Sequence, residues 1–195
     1  MQNVEDEKRL NTDEYRLIER AQCGEHEAMV EIYECCQPSV FTYVYYRVGN
    51  QEIAEDLTAE VFTRMVGKLR QFTPGEAPIL AWLYTIARHL VADHYRSRPA
   101  AGELPLEDDL AADETSYTAR AAERRLTQQC LQKALSLLTE EQRLVILLKF
   151  VEDRSNLEVA EIMGKNEGSV KSLQHRALGA LHRILEQERC DEPDL

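Results

Sequence analysis

Apolar residues recur at three- and four-residue intervals along most of the chain, which is the period of an amphipathic helix. Leu17, Ile18 and Ala21 share one face of a short helix that Thr12 can cap and Gly24 ends. A second helix opens near Glu25 and is expected to bury Ala28, Met29, Ile32 and Tyr33. It reaches Pro38, whose missing N–H predicts a break or a new start. The aromatic run Phe41 to Tyr46 is β-prone by composition, but Val40, Val44 and Val48 keep a four-residue spacing that assigns it to a helix. From Gln51 to Arg70 a stripe of Ile53, Ala54, Leu57, Val61, Met65 and Leu69 leaves Glu52, Glu55, Asp56 and Glu60 on an acidic polar side. Two prolines and a glycine between Phe72 and Pro78 specify a loop. Leu83, Ile86, Ala87, Leu90 and His94 then form a fourth helix, which Ser97-Arg98-Pro99 ends.

Periodicity lapses from Pro99 to about Ala119. This stretch carries Glu103, Glu107, Asp108, Asp109, Asp113 and Glu114 without a Lys or Arg, the composition of a flexible acidic linker. Beyond it Leu131, Ala134, Leu135 and Leu138 make a new stripe, and Thr139-x-x-Gln142 is a capping box before the apolar stretch Leu144 to Val151. Ser155-x-x-Glu158 caps a short helix that stops at Gly164, and Asn166 can cap a last one running to about Gln187. A short helix, a tight turn containing Gly and a longer helix form a helix-turn-helix pattern. The chain is therefore expected to be all-α, with two small helical domains at 12–98 and 120–189 joined by the linker at 99–119.

Composition narrows this picture. Only 8 Gly and 6 Pro in 195 residues leave room for few turns, and 44% hydrophobic residues are enough for a core. The longest aliphatic run, Leu144 to Leu148, is far too short to span a bilayer, and the charged N-terminus lacks the apolar core of a secretory signal. No membrane insertion is expected, and the cytoplasm is the expected location. The five cysteines are odd in number and lack Cys-x-x-Cys spacing, so they read as free thiols, with at least one of Cys35 and Cys36 buried. No metal set or cofactor is implied.

Two helices carry candidate chemistry. At about 100° per residue, Leu173, Ala177, Leu181 and Ile184 of the last helix fall near Val170, on a core face. Ser169, Lys171, Ser172, His175, Arg176 and Arg183 fall opposite, beside the small Gly168 and Gly179. Short side chains admit close approach to DNA, Lys and Arg reach phosphate or guanine, and Ser positions the helix. An ordinary solvated face could carry the same charges, but the capped short helix just before it favours DNA. On the fourth helix Tyr84, Arg88 and Tyr95 lie on one flank, with Trp82, His89, Asp93 and Arg96 on the other. Aromatic rings interleaved with guanidinium groups suit single-stranded DNA, where bases stack and Arg neutralises phosphate. Trp82 taken alone reads better as a residue completing the bundle core, and the whole set is what points to DNA. The net charge of -12 repels DNA overall, so unaided binding should be weak and a larger DNA-binding partner is implied.

Two motifs, in this order, resemble a bacterial sigma factor of the extracytoplasmic-function type. Ile53 to Phe62 (IAEDLTAEVF), followed by Ala81 to Arg96 (AWLYTIARHLVADHYR), is similar to sigma region two. Glu158 to Gly164 (EVAEIMG), followed by Gly168 to Ala177 (GSVKSLQHRA), is similar to sigma region four. The resemblance implies a region-two bundle that binds core RNA polymerase and captures the melted minus-ten element, and a region-four helix-turn-helix that reads the minus-thirty-five major groove of promoter DNA. It assigns polymerase binding to Asp56 and Glu60. Minus-ten binding falls to Trp82, Tyr84, Arg88 and Arg96, with the loop Pro74 to Pro78 as a pocket for a flipped base. Minus-thirty-five binding falls to Ser169, Lys171, Ser172, His175 and Arg176. It places the linker in the RNA exit path and implies control by a sequestering anti-sigma protein. His89, where the family often has Asn, and Leu173, where it often has Arg, imply that base preference differs from the family pattern.

A ligand-sensing repressor or activator with a C-terminal helix-turn-helix is the principal alternative. Such a protein would not need the Trp82 to Arg96 arrangement, and it usually dimerises on two half-sites. An enzyme fits less well. Asp108 and Asp109 lie in the linker, where carboxylates are solvated and unpositioned for acid or base work. His175 and His182 share a helix face, but no nearby carboxylate or cysteine completes a metal set.

Overall fold

The structure, a computed structural model, describes residues 13–97 and 119–187, and every regular element among them is helical. A short helix at 13–22 (α1) is followed by α2 (His26–Val48), α3 (Gln51–Lys68), a 3₁₀ turn (Leu69–Gln71) and α4 (Ile79–Ser97). The second half comprises α5 (Ala119–Leu137), α6 (Glu140–Ile146), a π-helical turn (Leu147–Val151), α7 (Asn156–Met163) and α8 (Glu167–Gln187). Thr12 and the stretch read as a linker lie outside the described residues, apart from Ala119.

Local chemistry sets the breaks in the first half. Gly49 ends α2 at φ 79°, in the left-handed region that favours glycine, and its N–H donates to the Tyr45 carbonyl at 2.9 Å. Asn50 then caps α3 by accepting from the Ile53 N–H at 2.9 Å. The shared core is built from Ile18, Ile32, Val40, Val44, Val61, Met65 and Leu83, all nearly inaccessible to solvent. α1 also holds the turn between α3 and α4. The Gln22 amide donates to the carbonyls of Leu69 and Phe72 at 2.8 and 2.7 Å, while Glu14 accepts from the Ile79 N–H at 2.6 Å, at the start of α4.

Three expectations are corrected. α2 runs unbroken through Pro38. Pro38 and Glu34 are both exposed, so water can take the carbonyl that loses its donor, while buried Cys36, Ser39 and Val40 hold the helix against the core on either side. Tyr33 is 47% exposed rather than buried, packing edge-on against Phe62 at 4.8 Å between ring centroids. Cys130 is disulfide-bonded, against the expectation of five free thiols. Cys190 lies outside the described residues. Cys23 and Cys35 are free and exposed, and Cys36 is free and buried, its thiol pushed up to about 12 by burial and by neighbouring Cys35.

The second half is organised around a buried cation. Arg143, fully inaccessible, donates from Nε to the Leu135 carbonyl at 2.7 Å and from Nη2 to those of Ser136 and Leu138 at 2.9 and 2.8 Å. These carbonyls end α5, so one side chain satisfies acceptors that the helix leaves unpaired. Both capping boxes form as the sequence predicts: Thr139 with Gln142, and Ser155 with Glu158. Gly164 closes α7 at φ 61°. The halves touch: Gln132 of α5 donates to the Tyr45 carbonyl at 3.2 Å, with its amide against Gly49, where a Cβ would approach Nε2 to 3.3 Å.

Candidate nucleic-acid interface

α8 is held by Val170, Leu173 and Ala177, which are buried, and its outward face is open. Ser169, Lys171, Ser172, His175 and Arg176 are all exposed, as the wheel requires, and Arg183 extends the same side. The helix start is capped by Asn166, whose Oδ1 accepts from the Ser169 N–H at 2.8 Å. The face carries little internal neutralisation. Lys171 lies 4.0 Å from Glu167, and the Arg176 Nε makes a long 3.4 Å bond to the Ser172 carbonyl. Both cations are mounted on a rigid helix and remain available to an anion.

α4 treats its candidate residues differently. Arg88 and Arg96 are exposed, Arg96 paired with Asp93 one turn back. Trp82 is half-buried, its ring 5.0 Å from that of Phe72 and tilted by 32°. It therefore completes packing at the loop while keeping an accessible edge, and both readings of Trp82 retain support. Tyr84 is only 5% exposed. Its hydroxyl donates to Glu152 at 3.0 Å, and its ring lies 5.2 Å from Tyr43. Burial, with the carboxylate of Glu152 alongside, pushes the phenol well above its usual range, so it stays a proton donor. Tyr84 is thus covered in the free chain: the second half packs over that flank, a contact no helical wheel can register.

Asp56 and Glu60 sit one turn apart on α3. Asp56 is exposed, whereas Glu60 accepts from Arg64 at 2.8 Å and is partly neutralised. Gly75 turns the loop before α4 at φ 89°. Sequence reasoning passed over the groups joining the halves. Glu140 of α6 accepts the Tyr43 hydroxyl and lies 3.6 Å from Arg47 of α2, and Glu152 accepts the Ser39 hydroxyl at 2.7 Å. Their only local signal is two acids flanking a strongly apolar helix, which reads as solvation.

The fold and the open α8 face define a two-part, all-helical protein with a C-terminal helix-turn-helix. Residues 32–100 match the Sigma-70 region 2 family and residues 128–181 match Sigma-70, region 4. The chain is 39% identical over 170 residues to the ECF RNA polymerase sigma factor BldN of Streptomyces coelicolor, an alignment covering 87% of this chain and 64% of BldN. It thus spans less than two thirds of that relative. It is 30% identical over 176 residues to the ECF RNA polymerase sigma factor SigD of Mycobacterium tuberculosis, covering 85% of this chain and 80% of SigD. The structure of CnrH in complex with the cytosolic domain of CnrY shares the fold at a TM-score of 0.62 and 20% identity, covering 89% of this chain and 97% of CnrH. The chain belongs to the extracytoplasmic-function (ECF) RNA polymerase sigma factors. Among the described residues, no helix is long and apolar enough to cross a membrane.

Proposed function

We propose that the chain is a promoter-specificity subunit of bacterial RNA polymerase, acting in the cytoplasm as a binding protein rather than a catalyst. Residues 12–98 bind core polymerase through Asp56 and Glu60 and hold the melted minus-ten strand on Trp82, Tyr84, Arg88 and Arg96. Residues 120–189 read the minus-thirty-five groove with Ser169, Lys171, Ser172, His175 and Arg176, and residues 99–119 join the two parts. An anti-sigma protein sequesters it. The observation that carries this reading is the exposed α8 face, cationic and interspersed with small residues, behind a capped α7 and a tight turn, in a chain that also matches region two. Because Glu60 already pairs with Arg64, Asp56 carries the larger share of polymerase attraction.

The test is transcription by bacterial core polymerase from a randomised promoter library, with and without this protein. Protein-dependent transcripts sharing spaced minus-thirty-five and minus-ten motifs uphold the reading. No holoenzyme and no transcripts, with active core and folded protein, refute it. Asp56→Arg combined with Glu60→Arg should weaken core binding about tenfold while leaving helicity intact, and unaltered core affinity would move that interface elsewhere.

A further inference from the structure

We propose that the free protein is held shut by a carboxylate clasp between its halves, in which Glu152 grips Ser39 of α2 and Tyr84 of α4 and withholds the α4 flank from single-stranded DNA. This deepens the proposed function, because it rests on α4 being the minus-ten surface.

The backbone that presents Glu152 is unusual. The regular α6 gives way at Leu147 to a π-helical turn ending at Val151, and two residues later Asp153 takes φ 52°, a left-handed conformation uncommon outside glycine. The detour is stabilised: the Glu152 N–H donates to the Leu147 carbonyl at 3.0 Å, the Arg154 N–H to that of Leu148 at 2.9 Å, and the Lys149 ammonium to the Arg154 carbonyl. A plain α-helical continuation would carry residue 152 round the helix and away from its present place. Here its side chain is only 11% exposed, with each carboxylate oxygen engaged by the other half: Oε1 by Tyr84 at 3.0 Å and Oε2 by Ser39 at 2.7 Å. Arg154 braces the pair from behind, 3.3 Å from Glu152 and 3.5 Å from the Ser39 hydroxyl.

A second carboxylate follows the same logic. Glu140 reaches Tyr43 and Arg47 of α2, and it borders, with Glu141, a cavity of about 180 Å³ whose opposite wall includes Thr85 and Arg88 of α4. Acids of the second half thus stand beside cations and phenols of the first, where strand phosphates would need to come. These hydrogen bonds lie beside apolar contacts, since buried residues of both halves belong to one hydrophobic cluster, and such an interface opens when a partner binds the separated halves more tightly. Weak DNA binding by the free chain then has a structural cause beyond net charge.

The test uses the full chain with Glu152→Ala and, separately, the milder Ser39→Ala, each checked for unchanged helicity by circular dichroism. Small-angle scattering should show an increased radius of gyration for Glu152→Ala. Its affinity for a fluorescein-labelled random single-stranded 20-mer should rise about tenfold, and that of Ser39→Ala about threefold, as the open population grows. Transcription with saturating core polymerase should stay within about twofold of wild type, since polymerase already selects the open form. If Glu152→Ala cannot fold, Ser39→Ala decides alone. Wild-type compactness together with unchanged oligonucleotide affinity overturns the clasp, while core-dependent transcription by the wild-type chain would still uphold the sigma reading. Expansion without tighter binding overturns the claim that closure hides the DNA surface. Absence of any core-dependent transcript from the wild type overturns the sigma reading and the purpose of the clasp with it.

Discussion

α4 and α8 are both amphipathic and both bear the residues expected to meet DNA, but they reach solvent in different ways. α8 buries one face and opens the other, so all five of its candidates are exposed. α4 buries its inner face in its own bundle and has one flank covered by the second half, which leaves Arg88 and Arg96 out and takes Tyr84 in. Their starts differ as well. α8 is capped by Asn166, three residues before Ser169, whereas the first N–H of α4 is taken by Glu14 from a helix 65 residues away. A helix whose termini and neighbours are local can be read from its own sequence, and one finished by distant residues cannot.

The change with the largest expected effect attacks the support of the α8 side. Arg143→Met removes the donors for three carbonyls at the end of α5, two of them in buried hydrogen bonds, while Glu140 keeps Tyr43 and Arg47, and should cost about 3–5 kcal/mol in urea denaturation. A loss below about 1 kcal/mol would mean that water or a relaxed backbone satisfies those carbonyls, and that the second half is held by its apolar core alone. Next comes the α8 face itself. Arg176→Ala should cost about 1–3 kcal/mol of promoter affinity while leaving core-polymerase association intact. Unchanged transcription would show that the open face is merely solvated.

Tyr84→Phe probes the covered flank and should do less. It removes one hydrogen bond to Glu152 and keeps the ring, so stability should fall by about 1 kcal/mol. Binding to single-stranded DNA should not fall, because stacking needs the ring and not the hydroxyl. A drop in oligonucleotide affinity would show instead that the phenol itself contacts DNA once the halves separate.

Much of this architecture was legible in advance for a physical reason. Helix existence follows from a period-3.6 stripe, and helix ends follow from side chains within three residues of them, so Gly24, Asn166, Gly164 and both capping boxes could be read directly. Pro38 does not break α2 because its cost is local but its compensation is tertiary: α2 is held on both sides by the core. The same limit applied to the candidate interface. Exposure of Lys171 and Arg176 depends on one helix, whereas burial of Tyr84 depends on Glu152, 68 residues further on, and on a π turn with no simple sequence signature.

The smallest effect concerns the cap of α7, the helix that sets α8 at its angle. Partial burial raises the Glu158 carboxyl, but the Ser155 hydroxyl and N–H together with Arg154, 3.6 Å away, outweigh it and hold the group below its ordinary 4.5. A carboxyl depressed by folding contributes stability that is fully present above the unfolded value and is lost as pH falls through the folded one. Glu158→Gln keeps a side-chain acceptor for the Ser155 N–H and removes only the charge. The variant should therefore be less stable than wild type by about half a kcal/mol near neutral pH, a modest figure because the carboxylate is half-exposed and screened. The difference should vanish in acid, once the pH lies below the depressed folded value and the wild-type group takes up its proton. Urea midpoints at neutral and acid pH measure it. A gap that persists in acid would show that the shape of the Glu158 side chain, and not its charge, secures the start of α7 and through it the presentation of α8.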